Sequence, residues 1–316
     1  MTASAAEYLL RHTRPEDVGA AQAVVDAAES VLAGEPRRGE FEVATAARDS
    51  RVDLTANTWV VEAPGGELAG FGSLSWGGAA QCTAETHVHP AHVGRGVGGA
   101  LLDAVERRAV ELTAEAPTDV TPRLYVWCAE SRILRRAALL ERGFRAVRES
   151  CLMRLDLGDG SPQRTPLPDG IELRRFAVGR DEEAVYAADQ EAFSDHFLFE
   201  PETLGQWRAG SVEHPRFDPS LWLVAWSGSE VAGEVLTFVD EYEAYVDSLS
   251  VPRRWRGRGL GLALLTRALG LAHERGRSKV RLGVDAQNPT GALVLYLKVG
   301  MYVERREEVW AKDLRG

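Results

Sequence analysis

Between Asp247 and Gly261 the chain reads Asp-Ser-Leu-Ser-Val-Pro-Arg-Arg-Trp-Arg-Gly-Arg-Gly-Leu-Gly. This is a strand end, a turn with glycine at every second position, and the opening of a helix. Glycine lets a backbone approach a ligand closely and adopt left-handed dihedrals. The helix that follows has its apolar face at Leu264, Ala268, Leu271 and Ala272. Its first amides have no partner inside the helix. Together with the helix dipole they favour an anion, best a phosphate or pyrophosphate. Arg253, Arg254, Arg256 and Arg258 add four guanidiniums beside them. The turn lacks the Gly-Lys-Ser/Thr ending of a Walker loop and the G-x-G-x-x-G spacing of a dinucleotide fingerprint. It requires a strand before it and a helix after it, hence an α/β arrangement.

The chain carries this unit twice. Gly94-Arg95-Gly96-Val97-Gly98 repeats the glycine turn with Gly96 and Gly259 separated by 163 positions, and two helix-ending glycines, Gly143 and Gly300, stand 157 apart. Near-equal offsets indicate a duplicated unit. In the first copy the patterns predict strands at 7–12, 58–62, 68–74, 83–88, 123–127 and 145–155. Helices are predicted after Arg14, after Gly98 and over 131–142. In the second copy strands fall at 171–174, 221–225, 231–239, 244–251 and 280–284, with helices over 181–193, after Gly261 and over 290–299. The Gly- and Pro-rich stretch 158–170 reads as a linker, so the expected domains are 1–157 and 171–316, each of ordinary domain size.

Composition narrows the partners. At 316 residues and a net charge of −10 the chain is unsuited to nucleic acid as its main partner. No apolar run reaches the length of a membrane span, and the start of the chain, with Glu7 and Arg11 around a short apolar piece, does not resemble a signal peptide. Three cysteines, an odd number, fit reduced thiols and a cytoplasmic location. His87-x-His89-x-x-His92 invites a zinc reading, but no acidic or Cys ligand is placed nearby, so no metal is expected.

Arg256-x-x-Gly259-x-Gly261, preceded by Leu249-Ser250-Val251, resembles the acyl-CoA signature Q/R-x-x-G-x-G/A of the GNAT acetyltransferase superfamily. Both copies share it in outline, so the resemblance covers nearly the whole chain. It implies two tandem GNAT-like domains of mixed α/β (α+β) type, each a mostly antiparallel sheet flanked by helices. It also implies acetyl-CoA as co-substrate and N-acetyl transfer to a small-molecule primary amine by direct attack in a ternary complex. Ala192-Phe193, Phe217-Asp218-Pro219 and Asn288-Pro289-Thr290-Gly291-Ala292 resemble the tandem GNAT group that includes mycothiol synthase. Antibiotic- or amino-acid-modifying acetyltransferases are the alternative within the enzyme class, and an acyl-CoA-binding sensor without turnover the alternative outside it.

The resemblance implies the site residues. Leu249, Ser250 and Val251 would run along the pantetheine arm; Arg256, Gly257, Arg258, Gly259, Leu260 and Gly261 would hold the diphosphate; Asn288 would lie near pantetheine. Tyr296, four residues before Gly300, matches the family's acid. Ala292, Leu295, Tyr296 and Val299 also make a helical core stripe. Where the family often carries a Glu base, six residues before Val251, this chain has Tyr245. Glu243, Asp247 and Glu234 are the candidate bases, and with Asp240 and Glu241 they would form a negative patch suited to a cationic amine. Residues 194–197 lie where such domains build the acceptor pocket. In the first copy Val88, Gly94, Gly96 and Gly98 keep the amide cradle, but Val93 replaces Arg256 and Leu139 replaces Tyr296. That copy is expected to be non-catalytic.

Overall fold

The computed structural model describes residues 8–35, 43–46, 52–77, 80–158, 163–288 and 290–315. Residue 7 of the first expected strand, positions 159–162 of the expected linker, and Pro289 lie outside them. The first run of elements is β1 (Leu9–His12), α1 (Val18–Ala33), α2 (Val43–Ala46), β2 (Thr58–Glu62), β3 (Leu68–Trp76), β4 (Gln81–Val88), α3 (Val97–Leu112), β5 (Arg123–Ala129), α4 (Ile133–Glu141) and β6 (Arg145–Asp156). The second is β7 (Glu172–Arg175), α5 (Glu182–Phe193), α6 (Leu204–Gly210), β8 (Trp222–Ser227), β9 (Glu230–Val239), β10 (Ala244–Ser250), α7 (Leu260–Glu274), β11 (Lys279–Asp285), α8 (Ala292–Lys298) and β12 (Tyr302–Asp313). Helices α2 and α6 go beyond the sequence reading. The start of α6 is fixed by a capping box in which Thr203 and Gln206 cap one another.

Packing gathers the chain into two compact units, Met1–Val147 with Glu308–Gly316, and Arg148–Glu307. These differ from the sequence halves, because the later part of the last strand of each half has joined the other unit. From Ser150 to Asp156, β6 pairs antiparallel with β11. The end of β12 lies beside β5, where Arg123 donates to Asp313 at 2.8 Å. A strand's own residues mark it as a strand without naming its partner, which is why the exchange escapes a sequence reading. The described part of the linker is tied down along α7: Thr266 Oγ1 accepts from the Thr165 amide at 3.1 Å, and Arg267 donates to the Thr165 carbonyl at 2.6 Å.

In the first unit β1 to β5 lie in chain order, antiparallel except for the parallel pair β4/β5. A parallel pair requires a crossover, supplied by α3. Alternation along β2 and β3 divides the core between two faces. Trp59, Val61 and Leu74 pack with Leu101 and Val105 of α3, while Val60 and Phe71 pack with α1. Each fully buried Leu or Val contributes about 1.5–3 kcal/mol.

The second unit runs β6-β11-β10-β9-β8-β7, with β10/β11 its parallel pair. Leu264, Leu265 and Ala268 of α7 fill one face. On the other, Trp207 of α6 joins Trp222 and Phe176, the last two rings stacked at 4.0 Å. Gly70 on β3 and Gly233 on β9 stand 163 positions apart. Both have to be glycine: an added Cβ would come within 2.6 Å of Val97 Cγ1 in one and 2.8 Å of the Ser250 carbonyl in the other. In each unit the crossover helix packs directly on that bare backbone.

Candidate active site

A cleft opens in the second unit where its parallel strands part. β10 and β11 are paired only at Ala244–Val280 and Tyr245–Arg281. On its other edge β10 keeps β9 but skips one residue: Val246 faces Thr237 and Ser248 faces Leu236, leaving Asp247 bulged. Such a bulge re-aims a side chain and bends its strand. The first unit has no counterpart. There β4 pairs with β3 without interruption from Cys82 to Val88, and stays with β5 for four residues, Gln81 to Ala84. The parting in the second unit leaves a cleft of about 490 Å³ running from the glycine turn to α8.

At one end stand Gly257 and Gly259 with φ of 74° and 83°, and the first turn of α7 has no side-chain cap. Gly259, Leu260 and Gly261 line the cleft there. Arg256, expected on the diphosphate, is turned to the protein. It donates to the Val251 carbonyl at 3.0 Å, the Ala192 carbonyl at 2.8 Å and Asp195 at 3.0 Å. Arg253 also grips Asp195, and these hydrogen bonds, that from Arg253 first, hold the Asp195 carboxyl down to about 2. Arg254 pairs with Glu230, and Arg254 and Arg258 both lie over the Trp255 ring. Anion affinity at this end therefore rests chiefly on backbone amides.

The other end holds Tyr296, Asn288, His196 and Asp247, all on the cleft wall. Tyr296 is buried, and burial pushes its phenol up to about 12, so it stays protonated. Among the described residues its hydroxyl has no hydrogen-bond partner. Asn288 accepts from the amide and hydroxyl of Thr290 at 2.8 and 2.6 Å, and its Nδ2 meets His196 Nε2 at 3.3 Å. This local turn precedes α8, which starts at Ala292 behind Gly291. Burial lowers the His196 imidazole below its usual value. Asp247 opens to the cleft yet is crowded by protein, and this desolvation raises its carboxyl to about 7.

The other candidate bases lie elsewhere. Glu243 is buried against Arg281, which also holds Glu304 at 2.6 Å, and does not line the cleft. Glu234 is buried on β9 behind the cleft wall, taking hydrogen bonds from Trp222 Nε1 at 2.7 Å and Ser248 Oγ at 2.6 Å. Asp240 closes the β9–β10 turn, accepting from the amides of Tyr242 and Glu243 and pairing with Arg216. The expected negative patch is thus partly consumed by structure. Asp189 of α5, which the sequence reading passed over, stands 3.4 Å from Ser248 Oγ. A Ser directly after a strand carboxylate was the only signal available.

In the first unit Gly94 and Gly96 keep left-handed φ of 80° and 85° before α3, and Gly98 packs beside Val88. Leu139 is fully buried in the core. Arg135, 157 positions before Ala292, donates to the carbonyl of Thr86, which lies 163 before Leu249. A guanidinium thus occupies the edge that the second unit leaves open. His92 is bonded to Tyr8 at 2.9 Å, and among the described residues no His, Cys, Asp and Glu side chains gather as a metal site. None of the three cysteines forms a disulfide, and no described helix is long and apolar enough to cross a membrane.

The acetyltransferase (GNAT) family pattern matches residues 25–129 and again 182–301. A mycothiol acetyltransferase of Catenulispora acidiphila is 34% identical over 244 residues, 75% of this chain and 74% of that protein. One from Geodermatophilus obscurus is 34% identical over 78% of this chain and 79% of its own length. Among solved structures, a GCN5-related N-acetyltransferase from Sphaerobacter thermophilus matches with a TM-score of 0.76 at 30% identity, over 98% of this chain and 96% of that one. A tandem GNAT protein from the clavulanic acid biosynthesis pathway shares the fold, with a TM-score of 0.69 at 19% identity over 98% and 99% of the two chains.

Proposed function

The chain belongs to the GNAT family of N-acetyltransferases, and on that premise we propose that the unit Arg148–Glu307 carries the reaction alone. The acetyl group passes from acetyl-CoA directly to a primary amine of a small molecule, both bound at once. The observation that carries this reading is the bulge at Asp247, with the strand parting beside it, found in one unit and not in its twin. It opens the edge of β10 from Val246 to Val251, whose amides then serve the pantetheine arm and polarise the thioester oxygen. Of the carboxylates Glu234, Glu243 and Asp247, Asp247 alone lines the cleft, and near pH 7 it is half ionised, a good match to a general base. It takes the proton lost by the attacking amine. The carbon–sulfur bond breaks as the amide forms, and the Tyr296 phenol donates to the departing thiolate.

The relatives named mycothiol acetyltransferase favour the amine precursor of mycothiol as acceptor. The first unit, with Leu139 for Tyr296, an unslipped β4 and Arg135 on the Thr86 carbonyl, is assigned no turnover. The test follows free thiol from acetyl-CoA against a panel of amines that includes the mycothiol precursor. Amine-dependent thiol release is expected. A sensor would bind CoA and release no thiol whichever amine is added.

A further inference from the structure

Behind the cleft wall, Asp189, Ser248 and Glu234 form a chain of acceptors with too few protons. Ser248 Oγ lies 2.6 Å from Glu234 Oε1 and 3.4 Å from Asp189 Oδ1. A hydroxyl has one hydrogen to give. The shorter contact takes it, so the longer one is favourable only if Asp189 supplies a proton to Ser248. Glu234 has further donors in the Trp222 indole at 2.7 Å and in Ser250, and all of these are neutral. Among the described residues it forms no ion pair. Arg216 acts on Asp247, and the groups around Asp189 are Glu234, Glu202 and Asp247, all acidic. Two adjacent carboxylates without a counter-ion do not both ionise.

We propose that Asp189 and Glu234 hold one proton between them across Ser248, with Asp189 protonated and Glu234 charged, and that this buried single anion is the positioning group for Asp247. Burial, then the charge of Glu234, pushes Asp189 well up, in keeping with that order. Burial also raises Glu234, while the hydrogen bonds from Ser248 and Trp222 oppose it. Ser248, which links the two carboxyls, is the residue after the bulged Asp247 on β10. Burial raises Asp247 most, Arg216 then draws it down and the charge of Glu234 pushes it up, so against that background the pair and Arg216 adjust the pH at which Asp247 is ready to accept a proton. The coupling to Asp247 rests on the functional reading above; the shared proton does not.

Two readouts separate them. In Asp247→Asn, which removes the aspartate that is itself half protonated near pH 7, infrared spectra with carbon-13 aspartate at neutral pH should still show the carbonyl stretch of an un-ionised aspartic acid. In that background the band should vanish on Asp189→Asn, whose amide keeps the bond to Ser248, and on Glu234→Gln, where Asp189 is released to ionise. An Asp247→Asn spectrum without the band overturns the shared proton, and so does a wild-type spectrum without it, a measurement that needs no variant to fold. In the pH profile of kcat/KM, Glu234→Gln should move the acidic limb down by about one pH unit, the usual scale for one uncompensated charge nearby. Asp189→Asn should leave that limb in place, because it preserves the charge. Ser248→Thr should behave as wild type and Ser248→Ala should not. A limb unmoved by Glu234→Gln overturns the coupling. A limb surviving Asp247→Asn shows instead that the base was misassigned, with the infrared result standing.

Discussion

Replacing Tyr296 by Phe removes one hydroxyl from the cleft wall, and the structure sets how much that should cost. The phenol sits at about 12, whereas a thiol has a reference value near 8.5. Full proton transfer to the departing thiolate is therefore uphill by roughly 3.5 units, about 5 kcal/mol. Tyr296 works as a hydrogen-bond donor to developing charge, and such a bond contributes about 1.5–3 kcal/mol. The expected loss in kcat is roughly ten- to 150-fold, toward the low side of what removing a general acid usually costs. Because the hydroxyl has no partner among the described residues, its loss should spare stability. CoA affinity, measured by calorimetry, should stay within twofold. Neither form of the phenol titrates near neutrality, so the pH profile should keep its shape. Turnover within twofold of wild type, or a loss expressed wholly in the KM for acetyl-CoA, would refute the assignment.

Asp247→Asn should abolish the acidic limb of kcat/KM, which in the wild type falls as pH drops through about 7 and the carboxyl becomes protonated. The raised value also carries a stability sign. The folded protein retains a proton that the unfolded chain loses near 3.8, so this residue's contribution is lost as pH rises from there to about 7, and the Asn variant should flatten that part of a denaturation series. Gly233→Ala places a methyl group 2.8 Å from the Ser250 carbonyl and should cost about 1–3 kcal/mol in urea titration while weakening CoA binding. An unchanged midpoint would mean that β10 yields there. Arg135→Ala should free the Thr86 carbonyl in the first unit yet leave bound CoA at one per chain by calorimetry, because β4 keeps its unslipped register. A second equivalent bound by this variant would mean that the guanidinium, and not the register, closes that unit.

Local spacing made the glycine turns and the helix that carries Tyr296 readable, because each depends on residues within one turn or one helix. Features that depend on a distant partner were not readable. Glu243 was a plausible base until Arg281, on the next strand, claimed it. Arg256 matches a phosphate-binding pattern, yet Asp195 and two carbonyls hold it. The phase along β10 assumed regular alternation, and the skip at Asp247 emerges only when β9 is laid beside it. For the same reason no strand pattern could reveal that β6 belongs with β11.

The twin units separate what the fold needs from what the chemistry needs. Gly70 and Gly233, Gly96 and Gly259, and Gly143 and Gly300 recur at matching offsets with left-handed or crowded backbones. They recur in a unit without the acid, so a glycine turn alone is no evidence of turnover. The departures fall together: Leu139 for Tyr296, Arg135 for Ala292, Glu85 for Ser248 and Phe71 for Glu234. From Ser248 onward β9 and β10 match the pairing of β3 and β4 residue for residue, Ser73 with Glu85 answering Leu236 with Ser248. Before it, Leu74 faces Ala84 where Thr237 faces Val246. One slipped residue at Asp247 accounts for the difference, and it bends β10 away from β11 two pairs earlier than β4 leaves β5. Deleting Asp247 should therefore do more than remove a carboxylate. It should restore the register of the first unit and close the cleft, so that CoA binding is lost along with turnover, whereas Asp247→Asn should lose turnover alone.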